Sequence, residues 1–98
     1  MKAILREAAL ADLERIFLWI AQDSPANARS VSQHILDAIE NRIAWFPHMG
    51  RKGRVNGTRE WVVRGLPYII VYNVDEARDA IFILGIFHGA KNLDASPN

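Results

Sequence analysis

Apolar residues recur every three or four positions up to Pro47 and largely every second position after it. The change of period divides the chain into a helical half and a sheet half. Residues 3–7 (Ala-Ile-Leu-Arg-Glu) predict a short first strand. From Ala8 to Gln22 the residues Leu10, Leu13, Ile16, Phe17 and Ile20 form the stripe of an amphipathic helix, and Asp12, Glu14 and Arg15 fall largely off it. Ser24 is a good N-cap, and Pro25 suits a first helical position, where a missing N–H costs nothing. A second helix is predicted from Pro25 to about Trp45, burying Ala28, Val31, Ile35, Ala38, Ile39 and Phe46, with Pro47 ending it. So short a connection predicts an antiparallel helical hairpin.

The second half reads as strands. Pro47 to Thr58 is predicted to be a loop containing Gly50, Gly53 and Gly57. Glu60–Arg64 alternates, with Trp61 and Val63 on one side. Gly65-Leu66-Pro67 predicts a tight turn. In the strand Tyr68–Val74, Tyr68, Ile70 and Tyr72 share one face and Ile69 and Val71 the other. Asp75–Asp79 is a polar turn, and Ala80–Phe87 is a third strand, apolar on both faces. Consecutive strands with short turns predict an antiparallel meander. The fold class is α+β: an N-terminal strand and a two-helix antiparallel hairpin packed on a small, mostly antiparallel sheet. Two helices cover one face of such a sheet. The other face still carries apolar side chains, which either the first strand, the long loop and the tail cover, or a partner chain does.

The chain has 98 residues, which fits a single domain over 1–98 with a flexible tail at 92–98. Half the residues are apolar, enough for a folded core. The absence of cysteine excludes disulfides, thiolate zinc sites and cysteine nucleophiles. No signal-peptide pattern and no apolar run of membrane-spanning length is present, so a cytoplasmic protein is expected, with no membrane partner. The net charge is +1, but the cations are unevenly placed. Residues 47–64 hold Arg51, Lys52, Arg54, Arg59 and Arg64 against one acid, Glu60. Such a local field steers acidic partners even at low net charge.

Gly50-Arg51-Lys52-Gly53 lacks the spacing of a phosphate loop and follows no strand. His34, His48 and His88 stand at no metal-ligand spacing, and no serine lies in a nucleophile-elbow context. No cofactor or metal is expected. What remains is a cation set: Arg51, Lys52, Arg54, Arg59, Arg64, His88 and Lys91. A metal-free ribonuclease needs a base, an acid and cations for the phosphorane charge. His88 could serve as acid or base, and Arg59 or Arg64 could hold phosphate through a bidentate fork. The opposing readings are a strand-end histidine with a local hydrogen bond and arginines of a solvated turn. Trp19, Trp45 and Trp61 read as core or core-edge residues, and Tyr68 and Tyr72 as cross-strand packing.

These residues, taken in order, resemble a known family. Ala9, Asp12, Leu13 and Ile16 open the first helix, and the second ends near Phe46-Pro47. Gly57-Thr58-Arg59-Glu60, Pro67-Tyr68-Ile69-Ile70-Val71-Tyr72 and Ile83-Leu84-Gly85-Ile86-Phe87-His88-Gly89-Ala90-Lys91 follow. Over roughly residues 3–91 this resembles the RelE/ParE superfamily of type II toxin–antitoxin toxins. The resemblance implies a compact toxin, a helical hairpin on an antiparallel sheet, and an antitoxin whose C-terminal segment wraps it. Any operator-DNA binding would belong to the antitoxin, since no DNA-reading motif is present here.

The superfamily has a RelE-like branch that cuts mRNA on the ribosome and a ParE-like branch that poisons DNA gyrase by binding. Where the RelE-like nucleases carry an arginine on the middle strand, this chain has Ile69, and on the preceding strand it has Trp61, Val62 and Val63. Losing one preorganised charge contact typically costs about 3–4 kcal/mol in a transition state. The His-Gly-Ala-Lys ending resembles the His-Gly-Ala-Arg ending of ParE-like chains, with Lys91 keeping the charge but not the planar fork. The resemblance therefore implies a gyrase inhibitor neutralised by a ParD-like antitoxin, rather than an enzyme. Its partner-binding candidates are Arg51, Arg54, Arg59, Trp61, Arg64, His88 and Lys91. The alternative is a ribosome-dependent mRNA endonuclease using His88, Arg59 and Lys91.

Overall fold

The computed structural model describes residues 1–89. The predicted tail at 92–98, and Lys91 with it, lies outside the described residues. Strand β1 (Lys2–Leu5) leads into helix α1 (Glu7–Ala21) and helix α2 (Pro25–Ala38), followed by a π-helical turn over Ile39–Ile43. Strands β2 (Arg51–Lys52), β3 (Arg59–Val62), β4 (Tyr68–Asp75) and β5 (Ala80–His88) complete the chain. The sheet order is β1-β5-β4-β3-β2. β1 runs parallel to β5, and the other neighbours are antiparallel. The sheet thus has five strands. The additional one, β2, is a two-residue edge strand inside the predicted loop, too short to leave a periodic signal.

The hairpin forms for the reasons its sequence gives. Ser24 Oγ accepts from Asn27 N–H at 3.1 Å, and Pro25 takes the first turn of α2. Ala28, Val31, Ile35, Ala38, Ile39 and Ile43 are buried along its inner face. All but Ala28 join one core cluster with Tyr68, Ile70 and Tyr72 of β4 and Ile81, Ile83 and Ile86 of β5. Two expected core positions are not core. Phe46 is exposed, because the π turn adds a residue to the last turn of the helix and the chain then departs. Leu10 lies on the outer flank of the α1 stripe and is exposed as well.

Asp12 ties α1 to the sheet. Its Oδ2 accepts the Ile86 N–H at 2.9 Å, and Arg15 pairs with its other oxygen. The contact falls at a bulge in β5. Val71 faces Gly85 and Tyr72 faces Ile83, which leaves Leu84 as the extra residue. A side chain at position 85 would meet the Phe87 ring and the Asp12 carboxylate, so glycine leaves room for this close approach.

Candidate functional site

The cationic loop is pinned from within. Tyr72, fully buried, donates its hydroxyl to the Pro47 carbonyl at 2.8 Å and accepts from the Gly50 N–H at 3.1 Å. Burial raises its pKa, partly offset by that N–H and by the Arg59 charge. Arg59 donates to the carbonyls of Gly50 at 2.7 Å and His48 at 3.2 Å. Glu60, only 4 % exposed, accepts from the Arg51 guanidinium at 3.0 and 3.2 Å and from the Arg54 N–H at 3.1 Å. The one acid of the segment therefore organises two of its cations. A buried carboxylate is tolerable here because it is paired and hydrogen-bonded. Arg59 is engaged by the loop's own carbonyls, and Arg51, although still more than half exposed, pairs with Glu60, so both forks serve the fold.

His88 lies elsewhere. It pairs across the ladder with Tyr68, and their rings meet edge to face at 5.7 Å. Burial raises the Tyr68 pKa. Both residues line a groove of about 490 Å³ whose other wall is Ile16, Trp19 and Ile20 of α1. Arg59 faces Tyr72, on the opposite side of β4 from β5. Four residues along and two strand spacings across put the two backbones about 16 Å apart. The structure does not bring His88 and Arg59 to one phosphate. Trp61 and Arg64 line a separate groove beside α2. Among the described residues, no group of three or more His, Asp or Glu side chains is placed to hold a metal ion.

The sheet face away from the helices is largely apolar, interrupted by Glu60 of β3 and Asn73 of β4. It carries Ile4 of β1, Phe82, Leu84 and Phe87 of β5, Ile69 and Val71 of β4, and Val62 of β3. Its covering is partial. Ile69 is buried, with Gly89 packed near it, and Arg6 stacks 4.3 Å from the Phe82 ring centroid. Val55 and Arg54 of the long loop line a hollow of about 240 Å³ over Val71, Leu84 and Phe87. Ile4, Val55 and Val62 stay exposed. The residues marking this surface are ones the cation-centred reading left aside, although apolar residues on both faces of Ala80–Phe87 signalled it.

Two tryptophans depart from expectation. Trp19 and Trp45 are 70 % and 72 % exposed, whereas Trp61 is the half-buried core-edge residue predicted. Each exposed ring follows a run of positions whose inward places are already filled by smaller aliphatic residues. No helix of the described residues is long and apolar enough to cross a membrane.

Comparison with known proteins converges on the same fold and family. Residues 3–93 match the family model described as the ParE toxin of the type II toxin–antitoxin system parDE. "Putative toxin Y4kP" of Sinorhizobium fredii is 39% identical over 80 residues, covering 82% of this chain and 79% of that protein. Among solved structures, a chromosomal ParDE toxin–antitoxin system from P. aeruginosa is similar at TM-score 0.76 and 24% identity. That match covers 90% of this chain and 95% of the other. The RelBE2 toxin–antitoxin complex from Mycobacterium tuberculosis is similar at TM-score 0.64 and 18% identity, covering 89% and 88% of the two chains. Both likenesses show a shared α+β fold. With the family match spanning nearly the whole sequence, the chain belongs to the ParE toxin family of type II toxin–antitoxin systems.

Proposed function

We propose that this toxin acts in the cytoplasm by binding protein. In this reading it inhibits DNA gyrase and is neutralised by a ParD-like antitoxin. The observation that carries it is Ile69, buried and apolar at the strand position where the resembling nucleases carry arginine. Its direct cross-strand partners, Val62 on β3 and Phe87 on β5, are apolar as well, which gives a phosphorane no charge from the paired positions. The separation of His88 from Arg59, and the use of Arg59 by two loop carbonyls, support the same reading.

The antitoxin's place in this account is the outer sheet face. A contiguous apolar surface over β1, β5, β4 and β3 suits a segment of another chain. The similarity to solved toxin–antitoxin complexes supports such a partner. Hydrogen exchange with and without antitoxin tests this: protection is expected over residues 67–87, and its absence there, including protection confined to residues 8–46, overturns the assignment. Gyrase supercoiling with purified toxin tests the target. Inhibition that tracks toxin concentration is expected. No inhibition, combined with cleavage of ribosome-bound mRNA, would replace this reading with the endonuclease one.

A further inference from the structure

A second surface lies on the other side of the molecule from the outer sheet face. Three large apolar side chains in one short stretch point into water after α2: Trp45 at 72 %, Phe46 at 53 % and Met49 at 48 % exposure. Backbone hydrogen bonds from Phe46 N–H to the Arg42 carbonyl and from Met49 N–H to the Phe46 carbonyl hold them as a continuous bend. The bend starts from the π turn at Ile39–Ile43, a local geometry that recurs at functional sites.

The bend leads into a groove of about 340 Å³ between α2 and β3. Met49, Trp61 and Val63 supply its apolar wall, and Arg42 and Arg64 its charge. Neither arginine has an acidic partner among the described residues, whereas Arg15, Arg51 and Arg78 are all paired. Asp37, the single carboxylate of the groove, takes a hydrogen bond from Asn41. Two guanidinium groups against one carboxylate leave the groove cationic. Tryptophan, methionine and arginine together are the composition of an interface core.

We infer that this bend and groove form the surface by which the toxin engages its protein target, taking an acidic segment with at least one large apolar side chain. The apolar side chain seats against Trp45, Phe46 and Met49, and the acids face Arg42 and Arg64. The inference rests on the protein-binding reading above, but not on gyrase being the target. It assigns target and antitoxin to separate surfaces.

Two double variants test it: Trp45→Ser with Phe46→Ser, and Arg42→Glu with Arg64→Glu. All four side chains are exposed, and unchanged circular dichroism verifies the fold. Each variant is induced without antitoxin, and its affinity for purified antitoxin is measured. Losing an aromatic anchor should raise the toxin dose for half-arrest about thirtyfold. Antitoxin affinity should stay within about threefold of wild type. Unchanged growth arrest in both variants overturns the inference. So does antitoxin binding that falls in step with toxicity, because the surface would then belong to the antitoxin. A wild-type chain that arrests nothing overturns it as well. Arrest by the wild type without gyrase inhibition overturns the gyrase reading alone.

Discussion

Replacing Tyr72 by phenylalanine removes one oxygen and separates the anchoring of the loop from core packing. The ring stays in a site with no solvent exposure, so little apolar contact is lost. Two hydrogen bonds go: the donation to the Pro47 carbonyl and the acceptance from the Gly50 N–H. Gly50 is buried, so its N–H loses a partner without gaining water. A buried polar group left unpaired costs about 1–3 kcal/mol, and about 2 kcal/mol is expected here. For a domain of this size that lowers the melting temperature by about 8–16 °C. Thermal unfolding followed by circular dichroism measures the shift. Amide exchange should also quicken at Gly50 and Gly53, while Ile35 and Ile81 keep their relative protection. A variant melting within about 2 °C of wild type would refute the view that the hydroxyl pins the loop.

Other consequences follow from the same contacts. Asp12→Ala strands the Ile86 N–H and should cost roughly 1.5–3 kcal/mol in urea unfolding, while Asp12→Asn keeps an acceptor and should cost less. An equal loss in both variants would show that charge, not the hydrogen bond, matters there. Burial raises the Tyr68 and Tyr72 pKa values in the folded state, so the unfolded chain ionises first at alkaline pH. The stability they contribute is complete below a pH of about 10 and is lost as pH rises through their folded values. The urea midpoint should therefore fall more steeply in the wild type than in Tyr72→Phe over that range, and parallel curves would contradict this. Leu84→Asp should weaken antitoxin binding about thirtyfold or more if the outer face is the antitoxin's seat. Calorimetry showing unchanged affinity would place that seat elsewhere.

The helices were legible because their apolar stripes, the Ser24-Pro25 start and the Pro47 stop all agree. The meander was legible from the alternation in β4 and the polar turn Asp75–Asp79. Three features were not. A two-residue strand such as β2 has no period to detect. The parallel pairing of β1 with β5 depends on where the hairpin returns the chain, which no local pattern encodes. The π turn breaks the 3.6-residue phase, and this is why Phe46 and Trp45 read as buried or nearly so. Gly85 within an apolar strand was the signal for the bulge. At the site, the five cations of residues 47–64 drew attention to the loop. Their single acid was the more informative residue: a lone Glu60 among arginines marks an internal ion pair, and it accounts for Arg51.

The central claim is that this toxin works by binding and not through a catalytic histidine. Growth arrest by His88→Ala, induced without antitoxin and verified as folded, tests it most directly. The account predicts arrest at the wild-type dose. Loss of arrest in the folded variant, together with loss of mRNA cleavage on the ribosome, would contradict it.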